Sequence, residues 1–335
     1  MKFDYVIGNP PYQEDTDGAG RQAKPIYNLF VNEIKKMQPE CMCLITPSRW
    51  FAGGMGLDSF RNDMMNDDRI KCIVDFTNSK DCFDNISVSG GVNFFAWKRN
   101  YHGMCSFTNT TNGKTNTLMR KLNEFPVLVR YNNAVSIIHK FHYDGMESLA
   151  KIASGLMPFG LSTSYRGKPK KDSVNSLTLW ASNGVTYMPL EEIKKGTEYI
   201  GKYKVMVSKT SAEHAGEPGK DGTFKVIPSS MRVIGPNEVC THSYFLIGNY
   251  DDEEIAENTL KYLKTQCVRF LMLMSISGFG LSKLVLNFVP TQDFTPKSDI
   301  NWSASIRDID QQLYKKYGLS QQEIDFIESH VKEMA

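Results

Sequence analysis

FDYVIGNPPYQ, residues 3–13, is the stretch on which the fold turns: an apolar run enters Asn9-Pro10-Pro11-Tyr12 with no polar linker between. FDYVIG (3–8) has the length and character of a buried strand, and two prolines then fix the backbone. Asn-Pro is also ordinary turn chemistry, so the motif gains meaning from its flanks. Downstream, IYNLFVNEIKKM (26–37) opens behind Pro25 and places Ile26, Leu29, Phe30 and Ile34 on one predicted helical stripe. CMCLIT (41–46) predicts a second strand, LDSFRNDMMND (57–67) a second helix, IKCIVDF (70–76) a third strand and VNFFAWKR (92–99) a fourth. Strands alternating with helices predict a parallel α/β sheet. Ligands bind such sheets outside the carboxyl ends of the strands, where Asn9 to Tyr12 fall. Residues 100–130, rich in Asn, Thr and Gly, read as a connector to a helix at 132–141.

The pattern changes after about residue 145. Short strand-like runs, SLTLW (176–180), YKVMVS (203–208), TFKVI (223–227) and SYFLIG (243–248), are separated by Gly, Pro and Ser clusters, and the helix–strand alternation disappears. One long helix is predicted from Asp252 through Leu273, acidic in its first turn as the helix dipole favours, with Leu260, Leu263, Phe270 and Leu271 on its packed face. DIDQQLYKKYG (308–318) and LSQQEIDFIESHVK (319–332) predict a terminal helical hairpin, with Ser320 and Glu323 spaced as a capping box.

A chain of 335 residues, 41% hydrophobic and 23% charged, is long enough for two cores, which excludes a peptide hormone or a tail. No apolar run reaches membrane-span length, and MKFDYVIG lacks the layout of a secretory signal, so a cytoplasmic location without a membrane partner is expected. The seven cysteines include no CxxC pair; Cys41 and Cys43 sit in an apolar run and read as buried free thiols. The six histidines are scattered, and His139 and His142 lack thiolate or carboxylate company, so no metal site is expected. The net charge of +2 divides into +1 over 1–150, +5 over 151–240 and −4 over 241–335. A basic middle is either a polyanion footprint or a solvated surface.

Through Asn9-Pro10-Pro11-Tyr12 the chain resembles the amino-group methyltransferases that carry Asp, Asn or Ser before Pro-Pro and an aromatic residue. Among them it is similar to the adenine-N6 DNA methyltransferases of bacterial type II restriction-modification systems. KPIYNLFVNEIKKM, LITPSRWFAGG, IKCIVDFTNSKDCF and GGVNFFAWKR are similar, in order and spacing, to the later sheet segments of such methylases; VPTQDF (289–294) and YKKYGLSQQEIDFIE resemble their carboxyl termini. The resemblance implies an α/β fold: part of a Rossmann-like methyltransferase sheet in 1–141, a mixed α+β target-recognition domain in 142–295 and a carboxyl-terminal helical segment in 296–335.

It also implies a chemistry. An exocyclic amine is a poor nucleophile because its lone pair is delocalised into the ring, and a site accepting both N–H hydrogens draws the nitrogen toward tetrahedral geometry. The Asn9 side-chain oxygen and the Pro10 carbonyl are the implied acceptors, aimed at charge that develops as the methyl moves, with Pro10 and Pro11 holding them rigid. Tyr12 is the implied stacking face for an adenine extruded from double-stranded DNA. A second aromatic wall points to Phe83, with Phe94 as second choice; a core role fits either Phe equally. Tyr165, Arg166, Lys168, Lys170 and Lys171 are the candidates for phosphate or base contact, and a solvated loop is the plain alternative.

In this family S-adenosylmethionine lies on a glycine-rich turn after the first strand, followed by an acidic residue, ahead of the NPPY segment. AGGMG (52–56), SGG (89–91) and GFG (278–280) do not follow a strand and open a helix in that way. The expectation is therefore the carboxyl-terminal part of a methylase, its donor site on a missing amino-terminal half or a separate subunit. FDYVIG is then an exposed sheet edge. Two other readings stay open: a methyltransferase acting on protein glutamine or RNA, and a DNA-binding recognition fragment without activity of its own.

Overall fold

The apolar runs of the first hundred residues pair into one sheet. The computed structural model describes residues 3–15, 23–51, 53–84, 88–111, 113–209, 223, 230–276 and 281–334, and the chain divides into two compact units, Met1–Ser136 and Ile137–Ala335. In the first, β1 (Tyr5–Gly8), β2 (Cys41–Pro47), β3 (Ile70–Phe76), β4 (Val92–Lys98), β5 (Cys105–Thr111) and β6 (Lys114–Arg120) lie in the order β1-β2-β4-β3-β5-β6. The sheet is mixed, not parallel: β1 with β2 and β3 with β5 run parallel, and the other neighbours are antiparallel. Among the described residues no crossover α-helix separates β3 from β4, and β4 inserts antiparallel between β2 and β3, as a helix-free return requires.

Helices α1 (Tyr27–Lys36) and α2 (Asp58–Met65) follow β1 and β2. Their buried faces join Met42, Leu44, Ile73, Phe95, Trp97 and Phe107 in one core. The face α1 turns inward is Tyr27, Val31 and Ile34; Leu29 and Phe30, expected inside, are 57% and 43% exposed. The 100–130 connector is also corrected, since β5 and β6 form a hairpin there. Its Asn and Thr content comes from an edge strand: β6 is exposed along most of its length, and Thr108 and Thr117 hydroxyls meet across the pair at 2.8 Å.

The opposite sheet face carries Tyr5, Ile7, Cys43, Ala96, Cys72 and Val74 at exposed or half-buried positions. Registers Cys43 to Ala96 and Ala96 to Cys72 set these side chains in one row. Ile7 on the outer strand is 82% exposed and Tyr5 67%.

Helix α3 (Asn132–Phe141) spans the unit boundary. In the second unit β7 (Ser176–Ala181), β8 (Gly184–Pro189) and β11 (Glu238–Cys240) form one three-stranded sheet, and β9 (Tyr203–Ser208), β10 (Met231–Ile234) and β12 (Tyr244–Tyr250) another. The expected TFKVI strand lies, but for Thr223, outside the described residues. The single long helix breaks into α4 (Glu253–Lys264) and α5 (Gln266–Ser275). Thr265 is extended at the break and its hydroxyl accepts the Val268 amide, a local bond that competes with helix continuation. α6 (Ile306–Lys316) and α7 (Gln321–His330) close the chain, with both bonds of the Ser320–Glu323 capping box formed.

All seven cysteines are free; Cys105, Cys240 and Cys267 are buried and the other four half-buried. Among the described residues no helix is long and apolar enough to cross a membrane, and no group of three or more His, Cys, Asp or Glu side chains converges as a metal site.

Candidate functional site

β1 delivers Asn9 to Tyr12 at its carboxyl end, and the following chain is pinned at once. The Ile26 amide donates to the Tyr12 carbonyl at 3.2 Å, and the Glu14 amide donates to the Lys24 carbonyl at 2.9 Å. The NPPY run is thereby tied to the start of α1. Asn9 and Pro11 are exposed, Pro10 and Tyr12 half-buried. These four residues line one wall of a 660 Å³ pocket. Pro25 and Tyr27 line it from the start of α1, Pro47 and Arg49 from the end of β2, and Val88 and Ser89 from the approach to β4.

The Tyr12 hydroxyl is buried and has no hydrogen-bond partner among the described residues. Burial raises its pKa; the nearby Asn9 side chain pulls it down, and Cys82 pushes it further up. Tyr12 therefore stays neutral at ordinary pH. Cys82 being close, the segment after β3 approaches the motif. Phe83, half-buried, is not among the pocket-lining residues, and its amide donates to the Ser79 carbonyl at 2.8 Å. Phe94 lies on β4 with its ring 6.2 Å from that of Phe76.

Behind the pocket stands a polar network with no counterpart among the expected site residues. Asp75, fully buried at the end of β3, accepts two bonds from Arg130, Nε at 2.7 Å and Nη2 at 2.9 Å. It also accepts the Ser48 hydroxyl at 2.6 Å and the Asn109 amide at 3.4 Å. The Ser48 amide donates to the Gly91 carbonyl at 3.0 Å. Gly91 is irreplaceable here, because a Cβ would come within 2.2 Å of the Phe76 carbonyl and 2.7 Å of Arg130. Ser48 sits between Pro47 and Arg49, so this network fixes the pocket wall those two form. The sequence signal was an Asp following the apolar run Cys72–Val74 in that strand, a position whose burial calls for a cation partner. Its partners lie 27, 34 and 55 residues away, and nothing in the sequence connects them.

The described glycine turns do not fit an adenosine-bearing donor. Gly53, with φ 76°, faces Asp58 and Arg61, and the Gly54 amide donates to Asp58 at 3.3 Å, so AGGMG serves the start of its own helix. Gly91 is committed to close packing, and GFG (278–280) lies outside the described residues.

In the second unit the basic stretch is already partly paired. Tyr165 donates its hydroxyl to Glu192, and burial and that carboxylate push its pKa up to about 12. Arg166 binds the carbonyls of Thr163 and Tyr165 at 2.7 and 2.9 Å, and Lys168 pairs with Asp172. Lys171 sits 5.6 Å from the centre of the Tyr187 ring. Lys170 is exposed. A neighbouring trio was missed: Lys209 Nζ lies 3.1 Å from His242 Nδ1 and donates to Thr163 Oγ1 at 3.4 Å. Burial and Lys209 both lower the His242 pKa. Strand pairing brings these residues together from positions 79 apart at most, which no local pattern encodes.

Residues 1–83 match the Eco57I restriction-modification methylase family. An adenine-specific methylase of Mycoplasma pneumoniae, itself uncharacterised, is 37% identical over 108 residues, 31% of this chain and 25% of that protein. The chain thus spans about a quarter of the length of this curated relative. Among solved structures, the type IIL restriction-modification enzyme MmeI in complex with DNA is 11% identical at a TM-score of 0.43, covering 96% of this chain and 56% of that one. A type I restriction-modification methyltransferase subunit from Streptococcus thermophilus is 18% identical at a TM-score of 0.26, covering 35% and 29%.

Proposed function

Proceeding from an amino-terminal quarter that matches the Eco57I restriction-modification methylase family, we propose that this chain carries the adenine-binding half of a site that methylates the exocyclic amine of adenine in DNA. The observation that carries the reading is the placement of Asn9 to Tyr12 at the carboxyl end of a strand, on the wall of a pocket of 660 Å³. That volume lies within the roughly 300–1,000 Å³ of small-molecule sites.

In this reading the Asn9 Oδ1 and the Pro10 carbonyl accept the two amine hydrogens, Pro10 and Pro11 hold them in place, and the Tyr12 ring stacks on the extruded base. Their role is to bind, orient and polarise the amine with fixed dipoles; no side chain of depressed or elevated pKa need remove a proton first. Phe83 would act as a second wall only if its segment moved toward Tyr12. The helix-linked parallel pair β1–β2, with β4 returning beside it, supports taking 1–141 as part of a Rossmann-like methyltransferase sheet. Residues 142–295 would then be the target-recognition domain, with Tyr165, Arg166, Lys168, Lys170 and Lys171 toward DNA, and 296–335 the terminal helical segment.

S-adenosylmethionine is the proposed methyl donor, held by a polypeptide outside this sequence, either an amino-terminal half or a separate subunit. Donor contacts fall to that polypeptide, since the described glycine turns do not fit them. The bare β1 edge and apolar row are where it would pair. The same mismatch supports a second reading, a recognition part inactive by itself. A tritiated-methyl assay with light scattering, on the chain with and without a polypeptide carrying the glycine-rich turn, tests both. Methyl transfer only in the mixture is expected; none in either overturns the catalytic reading.

A further inference from the structure

The wall facing the NPPY run holds polar groups that the amine chemistry does not use. Tyr27, the first residue of α1, is 1% exposed, its ring edge-on to Phe60 at 6.1 Å. Its hydroxyl is buried and has no hydrogen-bond partner among the described residues; the Trp50 backbone lies nearby without meeting hydrogen-bond geometry. A buried orphan hydroxyl is costly, and its place beside a pocket suggests a group that completes it there. Arg49, half-buried on the turn after β2, lines the same pocket and lies close enough to act electrostatically on the Tyr27 hydroxyl. Among the described residues it is the only charged side chain of that lining. The turn is not free to drift, because Ser48 next to it is bonded to buried Asp75 at 2.6 Å.

A guanidinium and a phenol hydroxyl held together on a rigid wall, with no carboxylate among the described residues of the lining, form a donor set for an oxyanion. We propose, resting on the reading that this pocket takes an extruded adenine, that Arg49 and the Tyr27 hydroxyl bind a phosphate of the strand that carries that base. A base cannot enter without bringing its own phosphodiester links to the mouth. The subsite converts that obligatory charge into orientation: the base stacks on Tyr12 while its backbone is clamped opposite. The donor's carboxylate is the other oxyanion the set could take, and the experiment separates the two.

The test uses the full chain and a five-nucleotide single-stranded DNA with adenine at its centre and 2-aminopurine next to it as the reporter, read by fluorescence. One version carries phosphodiesters throughout, the other neutral methylphosphonates flanking the centre. The wild-type chain should prefer the charged oligomer. Arg49→Ala and Arg49→Gln should weaken it about tenfold, leave the neutral oligomer unchanged and so remove the preference. Arg49→Lys should restore part of it, and Tyr27→Phe should lose a few fold on the charged version alone. Far-UV circular dichroism and melting temperature establish that each variant folds. A preference that persists in folded Arg49 variants overturns the subsite. So does a loss confined to S-adenosylhomocysteine binding, which would give the set to a carboxylate. Asn9→Ala separates this from the proposed function: it should weaken both oligomers equally, by no more than a few fold. If it alters neither while Arg49→Ala abolishes the preference, the adenine reading fails and the anion site stands.

Discussion

Asp75 and Asp172 are both carboxylates beside a cation, and they sit in opposite settings. Asp75 is fully buried, its Arg130 partner 18% exposed, and a hydroxyl and an amide fill its remaining lone pairs. Asp172 and Lys168 are 42% and 59% exposed and four residues apart. The first arrangement cannot rearrange without stranding a charge, so it fixes the pocket wall. The second exchanges freely with water, so it can release Lys168 to another anion. The wall behind the NPPY motif is rigid and the basic loop adaptable; under the proposed function, the first suits holding one base and the second tracking a backbone.

Four experiments break or sharpen this contrast. Asp75→Ala should have the largest effect, since it leaves Arg130 without its carboxylate; a loss of about 3–5 kcal/mol is expected in urea unfolding. Lys168→Ala in the same assay should leave the midpoint unmoved. Next, under the proposed function, Asn9→Ala in the mixture with a donor-carrying polypeptide should lower methyl transfer by ~10²–10³ while DNA affinity stays within a few fold. Near-normal turnover would remove Asn9 from the chemistry.

Asp310 lies between the extremes. It is 2% exposed and accepts the Gln266 and Cys267 amides at 2.8 and 2.9 Å, and burial pushes its pKa up to about 7 against the pull of those amides and Arg269. The folded chain therefore holds this proton more tightly than the unfolded chain. Its contribution to stability is complete below about pH 4, the ordinary carboxyl range, and is lost as pH rises through about 7. Thermal melts across that window should fall with rising pH, and Asp310→Asn should flatten the trend. The smallest effect belongs to the basic loop. Replacing Lys168, Lys170 and Lys171 together should flatten the salt dependence of DNA binding, by about 0.9 in slope for each phosphate no longer neutralised. Because Lys171 already sits against the Tyr187 ring while Lys168 can leave its exposed partner, the flattening should be nearer that of two phosphates than that of three.

That Asn9 to Tyr12 sit together at a strand end was legible because the four residues are consecutive and the strand before them is short and apolar. Of the fold, β1 to β4, α1 and α2 could be read from periodicity. Strand direction could not, since it depends on whether a crossover helix covers the sheet, and the described part of 77–91 carries none. The buried face of α1 was misjudged because the helix is apolar on two sides, and only tertiary packing decides that Tyr27 and Val31 go in while Leu29 and Phe30 stay out. The β5–β6 hairpin was hidden by its polarity, because an edge strand wet on both faces lacks the alternation that marks a strand. Ser48, Asp75 and Arg130, like Thr163, Lys209 and His242, meet only after the sheets form.

The row of half-buried thiols on the open side of the first sheet turns that surface into a reporter. Cys41, Cys43 and Cys72 flank Ala96 and Lys98 across three strands, whereas Cys105 is buried. Burial raises the Cys43 pKa, and Cys72 and Cys41 raise it further, so alkylation would be slow at neutral pH and fast in alkali. Iodoacetamide footprinting followed by peptide mass mapping would then record, cysteine by cysteine, how much of the surface a second polypeptide shields. The chain carries its own internal label for any polypeptide that covers this face.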